Sequence, residues 1–598
     1  ASHNTAIGTN ALTLNTTGSS NVSVGRGSLG SNTTASNNTA VGDLSLNVNT
    51  TGDNNVAVGS LTLDANTTGA TNVAVGNGAL GANTTGIRHT AIGYAALGSN
   101  TTGTRNNAFG YAALNANTTG QYNVAVGNET LVVNTTGASN TAVGSFALDA
   151  TNSSDNTAVG YGALTSDCGD DNTAVGYNAG QNLTGNYNTI MGHSAMGSGA
   201  HSGNYSSAFG YQAMKANTTG NNDAFGTSAL LSVTTGSANA AFGRGALQNN
   251  TGGNNSAFGH ECMNANTSGA ANSAFGSLAL DAATTANYNV AVGYASLTNT
   301  TTGGDNTAVG SGALENNTTG GTNTAVGRAA LQSNTTGTRN VAVGGNALDA
   351  CTNGNDNTAL GYEAMTAMIN GIDNTALGRE TMINATTANY TTAVGKGVLH
   401  QLTTGIQNTG LGQQVLQAVT TGSNNTGLGT YAGLVISTGD NNTCVGHAAG
   451  RSSSPSGQIT TASNQVCIGD NSVTDLFCKV STIQTSDLRD KTDITDFKHG
   501  LSWIEKLKPI TYRWDMRSSY EDGKPDGSKK EERLHLGFIA QDVIKIEKEH
   551  GFANDKNMML LVNENNDGNY GMKYDRVVPI LVNAIKELSV KVTALEAG

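Results

Sequence analysis

Proline and charge are what this chain has least of. Four prolines stand among 598 residues, and 12% of the residues are charged. Aromatic residues make up 5%, with two tryptophans, Trp503 and Trp514. No apolar run is long enough to span a bilayer, so no segment is expected to insert into a membrane. The net charge is −13 and no basic stripe interrupts it, which argues against nucleic acid as a partner. The six cysteines (Cys168, Cys262, Cys351, Cys444, Cys467, Cys478) include no Cys-x-x-Cys pair, so neither a metal site nor a cofactor is expected. No secretory leader is read, and Ala1 already stands inside a repeat. The chain is therefore expected to be a mature product or a fragment whose attachment end lies upstream.

Glycine is abundant, at 79 residues, and its spacing organises the chain. A five-residue segment ends in a fixed Gly at Gly8, Gly25, Gly42, Gly59 and Gly76, a period of 17. With small slips the series runs on to Gly446, and a last copy ends at Gly469 after an insertion containing Pro455, 28 copies in all. A short period over hundreds of residues means a solenoid, in which each unit buries its apolar face against its neighbours. Low charge with high glycine also describes disordered chains, but here the apolar positions keep strict phase.

The copies serve as an internal alignment. The residue before the Gly is large and apolar (Ile7, Val24, Phe109, Met191, Leu411), and Leu or Met usually follows four after it (Leu12, Leu29, Met214). These two positions are expected to form the core. The residue two before the Gly is almost always Ala, with exceptions such as Ser23, Ile190 and Gly410. In a strand it points away from its neighbours, so a flat Ala face packed against another chain is expected. The residue after the Gly varies freely and includes Tyr94, Tyr111, Tyr161, Tyr177, Tyr211, Tyr294 and Tyr362, which fits solvent. Asn-Thr-Thr-Gly stretches such as 15–18 read as turns, because Asn and Gly tolerate positive φ. The repeat also forces many Asn-x-Thr sequons, which are poor evidence of glycosylation. Each unit is thus expected to be one coil with two short strands, and 27 steps give a rod about 130 Å long. Cys444 and Cys467 replace the Ala of consecutive copies, either as free thiols or as a disulfide one rung apart.

The segment Asn-x-Ala-Val/Ile-Gly, repeated over residues 4–470, resembles the head of YadA-type trimeric adhesins. The resemblance implies a left-handed β-roll assembled as a parallel homotrimer.

Composition changes near residues 480–486. Eighteen of the 29 Lys and Arg lie after residue 485, with three of the four prolines and both tryptophans. A shaft over 1–470, a linker over 471–485 and a second domain over 486–598 are expected. The second domain reads as α+β, with a helix near Gly500–Leu507, strands at Ile510–Trp514 and Leu534–Ile539, and a helix over Ala540–His550. In the last stretch Val578, Leu581, Ile585, Leu588, Val592 and Leu595 step by three and four, an a/d seam on a helix over 577–597. Either a three-stranded coiled coil or packing on the helix's own domain satisfies that spacing.

Three ordered motifs identify this segment with a family: Ser486-Asp487-x-Arg489-x-Lys491, Gly537-Phe538-Ile539-Ala540-Gln541-Asp542, and Tyr574 to Leu581 leading into Ala584 to Leu588. They resemble the intramolecular chaperone, or peptidase S74, domain found at the C-terminus of phage tailspikes and tail fibres. The resemblance implies self-cleavage between Thr485 and Ser486, with Ser486 as nucleophile and Lys491 as its base. A hydroxyl needs such a base, and a lysine serves once desolvation lowers its pKa. Asp487 and Arg489 either orient the site or cap the following structure, and His535 is a further supporting candidate. The only enzymatic activity expected is this act on the chain itself.

Three functions compete on these residues. One is a trimeric virion fibre that binds a host glycan or surface protein and joins other virion components through an upstream part. The second is a cellular trimeric adhesin or other extracellular fibre without cleavage, for which a membrane barrel is expected and none is read. The third is a shaft enzyme, for which paired carboxylates are expected; Asp64, Asp149, Asp281 and Asp349 each follow the core Leu with no second acid in phase. Ice binding through the Thr rows is a weaker fourth. The Tyr after the Gly either stack on sugars or are exposed without a partner.

Overall fold

The computed structural model describes residues 2–473, 476, 489, 491–517, 520, 524–565 and 568–598. The fold is mainly β, a parallel β-solenoid of 17-residue coils followed by a small α+β region that ends in a helix. It divides into two units, Ala1–Asn353 and Gly354–Gly598. In the first, strands β1 (Thr5–Ile7) to β21 (Val341–Val343) repeat once per coil. In the second, β22 (Thr358–Leu360) to β28 (Val466–Ile468) do the same.

Neighbouring strands pair in parallel and in register, as Val56↔Val73, Ala57↔Ala74 and Val58↔Val75. Each coil has one strand of three or four residues, not the two expected. The reason lies in the backbone after the Gly. Alternate residues there take positive φ, such as Leu61 at 54° and Leu63 at 52°, which breaks extended pleating. Hydrogen bonding between coils continues nonetheless, with Leu63 N donating to Ala79 O at 3.0 Å and Ala65 N to Gly81 O at 3.1 Å. The fixed Gly is required twice over. Gly93 has φ +141°, and a Cβ there would lie 2.2 Å from Gly110 O of the next coil.

The two faces of the strand are the reverse of the expectation. The Ala two before the Gly points into the coil and is fully buried, as Ala57, Ala74 and Ala91 are. The large residue before the Gly points out, and Ile92, Phe109 and Val126 are exposed. The coil is too narrow for two large side chains. The Leu four after the Gly fills it, as Leu80 and Leu97 do, and leaves room for methyl groups only at Ala74, Ala79, Ala91 and Ala96. The Ala row is therefore not an outer face.

In most coils of the first unit the rest of the interior is amide. One buried Asn precedes each strand in most coils. Asn55 Oδ1 accepts from Asn72 N at 3.0 Å, and Asn55 Nδ2 donates to Gly69 O at 3.0 Å. A second buried Asn opens the Asn-Thr-Thr-Gly turn. Asn66 Nδ2 donates to Asn49 Oδ1 at 2.8 Å and to Gly69 O at 3.0 Å, and Asn83 Nδ2 continues the chain to Asn66 Oδ1. Turn chemistry thus doubles as core chemistry, since each amide satisfies a neighbour coil as well as its own turn.

In the second region α1 (Leu501–Ile504) is a single turn and shorter than expected. Strands β29 (Ile510–Tyr512) and β30 (His535–Gly537) pair antiparallel. Helix α2 (Ala540–Glu549) buries Val543, Ile544 and Ile546. A second antiparallel hairpin, β31 (Val562–Glu564) with β32 (Tyr570–Met572), has no counterpart in the sequence reading. Helix α3 (Val577–Glu596) closes the region, one residue short of the expected span. Trp503, Val543, Leu561, Val562 and Ile580 meet in one core.

Candidate functional site

The middle and third motifs of the second region meet through short local devices. Gly537 is buried at the end of β30, and a Cβ there would fall 2.3 Å from Tyr574 Oη. Phe538 N donates to that same hydroxyl at 3.3 Å, and the two rings lie 6.1 Å apart. The middle motif therefore folds onto the third. Burial beside Tyr574 pushes the Tyr512 phenol up. His535 stacks on Tyr512, with centroids 5.6 Å apart. Its Nε2 lies 3.4 Å from Glu531 Oε2, within ion-pair reach but outside hydrogen-bond geometry. His535 is thus held in an aromatic cluster with Tyr512 and Trp514.

Glu547 is a fully buried carboxylate on α2, and it accepts from the backbone N–H groups of Leu560 and Leu561. Arg576 Nη1 donates to Leu560 O at 3.3 Å, and Lys573 N to Leu561 O at 2.7 Å. Burial, with Arg576 close by, lowers the Lys573 pKa. These contacts pin the segment before β31, and nothing in the spacing of the residues announced them.

Helix α3 has two apolar faces. Val577, Ile580 and Ala584 are buried on the domain. Val578, Leu581, Ile585, Leu588, Val592 and Leu595, the a/d positions, are exposed, from 41% at Leu581 to 81% at Leu595. Packing on its own domain is therefore done by a different set of residues from the seam.

Of the cleavage residues, Thr485, Ser486 and Asp487 lie outside the described residues. Arg489 and Lys491 are described and exposed. In the shaft, the Tyr after the Gly are exposed as expected, but several are stacked on one another: Tyr94 on Tyr111 at 5.4 Å, and Tyr161 on Tyr177 at 5.4 Å. At least one face of each of these rings is engaged within the shaft. The acids are less isolated than their phase suggested. Glu129 lies near enough to Asp149, and Glu261 to Asp281, to add to the burial that raises each Asp pKa. Cys444 and Cys467 are register partners with free thiols, and burial beside Cys467 pushes the Cys444 thiol up to about 12. Among the described residues no cluster of three or more His, Cys, Asp or Glu is placed to hold a metal.

Residues 486–552 match the model of the Peptidase_S74 family, described as chaperone of endosialidase. The match begins at Ser486 and ends before β31, so Tyr574 and α3 lie beyond it. A long β-solenoid followed by such a domain fits a tail fibre or tailspike with a C-terminal chaperone. No curated protein and no solved structure matches the chain.

Proposed function

We propose that this protein is a homotrimeric virion fibre for host-surface attachment, assembled by residues 486–598 acting as an intramolecular chaperone that then cleaves itself off before Ser486. The observation that carries the reading is the second face of α3, six apolar side chains at heptad spacing that stay exposed among the described residues. A three-helix seam covers them. The shaft is suited to lateral assembly, because the residue before the Gly leaves one exposed or half-buried large apolar side chain per coil along each unit. At Phe209, Phe225, Phe242, Phe258 and Phe275 these side chains form a stack of rings 4.5–4.8 Å apart.

A parallel trimeric solenoid has to align three chains before any coil can template the next, and non-local pairing of this kind is slow and prone to aggregation. A C-terminal domain that trimerises first raises the local concentration and sets the register. Cleavage then removes the route back and leaves the shaft kinetically trapped. In that scheme Ser486 Oγ attacks the Thr485 carbonyl carbon as Lys491 takes the hydroxyl proton, the Thr485–Ser486 C–N bond breaks with that proton passing to the freed Ser486 amine, and water then hydrolyses the ester so formed. Lys491 is exposed in the single chain, so assembly has to supply the desolvation that makes an amine a base.

The test is intact mass, a denaturing gel and solution mass for the full chain beside Ser486→Ala and Ile585→Glu. The expected result is a trimer that splits after Thr485, a whole trimer for Ser486→Ala, and no trimer for Ile585→Glu. A wild-type trimer that stays whole leaves residues 486–598 as a permanent cap and favours an uncleaved extracellular fibre. A monomeric wild type overturns the proposal.

A further inference from the structure

The buried side of α3 does more than fill the core. It holds the chain that leads in from Ser486. Asn583 Nδ2 donates to Phe497 O at 2.6 Å. Four residues on, one helical turn away, Glu587 Oε2 accepts from Leu501 N at 2.9 Å, at the open N-terminus of α1. Between them the backbones touch. Gly500 lies so close to α3 that a Cβ would fall 2.4 Å from Ala584 N and 2.6 Å from Asn583 C. Three successive anchors thus fasten residues 497–501 along a single helical stripe, Asn583, Ala584 and Glu587. The exposed seam residues Leu581, Ile585 and Leu588 alternate with that stripe on the same two turns. A shift or rotation of α3 that completes the seam therefore moves the anchors as well.

We infer that Asn583 and Glu587 are positioning residues that couple assembly of the α3 seam to self-cleavage, by holding the lead-in segment in place only when the helix is seated. The inference rests on the cleavage reading above and extends it. Phe497 also packs its ring on Trp503 and Phe552, and Glu587 accepts at the start of α1, whose N-cap Gly500 has no side-chain cap of its own. Neither residue touches the scissile bond in this account. Each acts on geometry alone, and geometry governs cleavage steeply, since a misplacement of about 1 Å at a reacting group lowers rate by about a hundredfold.

The experiment follows cleavage of the full chain over time, with solution mass as a second readout, in wild type, Asn583→Ser, Glu587→Ala and Glu587→Gln. The serine is too short to reach Phe497 O, and the glutamine keeps an oxygen that accepts from Leu501 N. The expected result is that Asn583→Ser and Glu587→Ala form trimers that cleave at least about tenfold more slowly, while Glu587→Gln cleaves within about threefold of wild type. A merely structural role lowers trimer yield and cleavage together and is not rescued by Gln. Trimers of Asn583→Ser and Glu587→Ala that cleave at the wild-type rate overturn the inference. If Glu587→Ala yields no trimer, Asn583→Ser against Glu587→Gln decides on the same two readouts. If wild type itself stays whole, the cleavage reading has failed, and that outcome is distinct because no variant is needed to see it.

Discussion

The coils before Asn353 and those after Gly354 share one backbone recipe and fill it differently. In the first unit the turn position of most coils holds a buried Asn, and Asn32, Asn49, Asn66, Asn83, Asn100 and Asn117 form an unbroken chain of amide hydrogen bonds. In the second unit the same position holds Met368, Ala385, Leu402, Val419, Ile436 and Ile459, all fully buried. The other Asn, before the strand, persists in both, as Asn425 Nδ2 donating to Gly439 O at 2.8 Å illustrates. A coil accepts either filling so long as its neighbour agrees. Where the run breaks, the amide is stranded: Asn134, Asn217 and Asn334 precede coils with Thr151, Val233 and Cys351 in that place, and each has a buried Oδ1 with no hydrogen-bond partner among the described residues. Energetics in a solenoid are set between nearest neighbours, and this is that rule at the level of one atom.

The largest effect ignores the difference between the units. Gly93→Val forces a Cβ against Gly110 O at a positive φ, and the expected outcome is loss of protease-resistant shaft on limited proteolysis. The next exchanges the two fillings. Leu402→Asn buries an amide among apolar neighbours and is expected to lower stability by about 3–4 kcal/mol. Asn66→Leu strands Asn49 Oδ1 and is expected to lower it by about 1–2 kcal/mol in the same denaturation measurement. Equal effects would erase the distinction drawn between the units.

A third test uses the one copy in which His89 replaces the Asn before the strand. His89 Nε2 lies 2.7 Å from Gly103 O, and Nδ1 accepts from Asn106 N at 3.2 Å, so the ring has to be neutral. Burial lowers its pKa to about 4 from an ordinary 6.5. The folded pKa is the depressed one, so the unfolded chain binds the extra proton first. The contribution of His89 to stability is therefore constant above pH 6.5, falls as pH drops towards 4, and is level below that, with a loss of about 3 kcal/mol from this residue. His89→Asn, which restores the amide column, is expected to remove that share of the dependence in urea unfolding across the range, and the buried His201, also lowered to about 4, keeps a share of its own. The smallest effect is a gain. Val233→Asn supplies a donor to Asn217 Oδ1 and is expected to add about 1 kcal/mol, read as a higher unfolding midpoint.

Much of this was legible from residues alone, and the failures have physical causes. Period, copy number, the buried Leu and the exposed position after the Gly all followed from phase. The strand faces did not. Period two says only that Val58 and Ala57 point opposite ways, and large apolar side chains were assigned inward by default. The inside of a coil this narrow reverses that default. The second amide column was read as turn chemistry alone, because Asn66 does serve its own turn, through Gly69 O, and its bond to Asn49 spans 17 residues of chain. In the second region the α3 seam was visible as heptad spacing. Asn583 and Glu587 were not, because their partners lie 86 residues away and no local pattern marks them.

What the sequence determined by itself is everything that repeats: a solenoid of 17-residue coils, its length in copies, the obligatory Gly, and an apolar stripe on the last helix. Repetition makes one chain its own alignment, and a requirement met 28 times cannot hide. What only the tertiary structure decided is direction and partnership: which strand face is inside, which amide bonds to which coil, and which side of α3 grips the lead-in segment. Those depend on how much room neighbouring backbones leave and on contacts between residues far apart in the chain, and neither is written in local order.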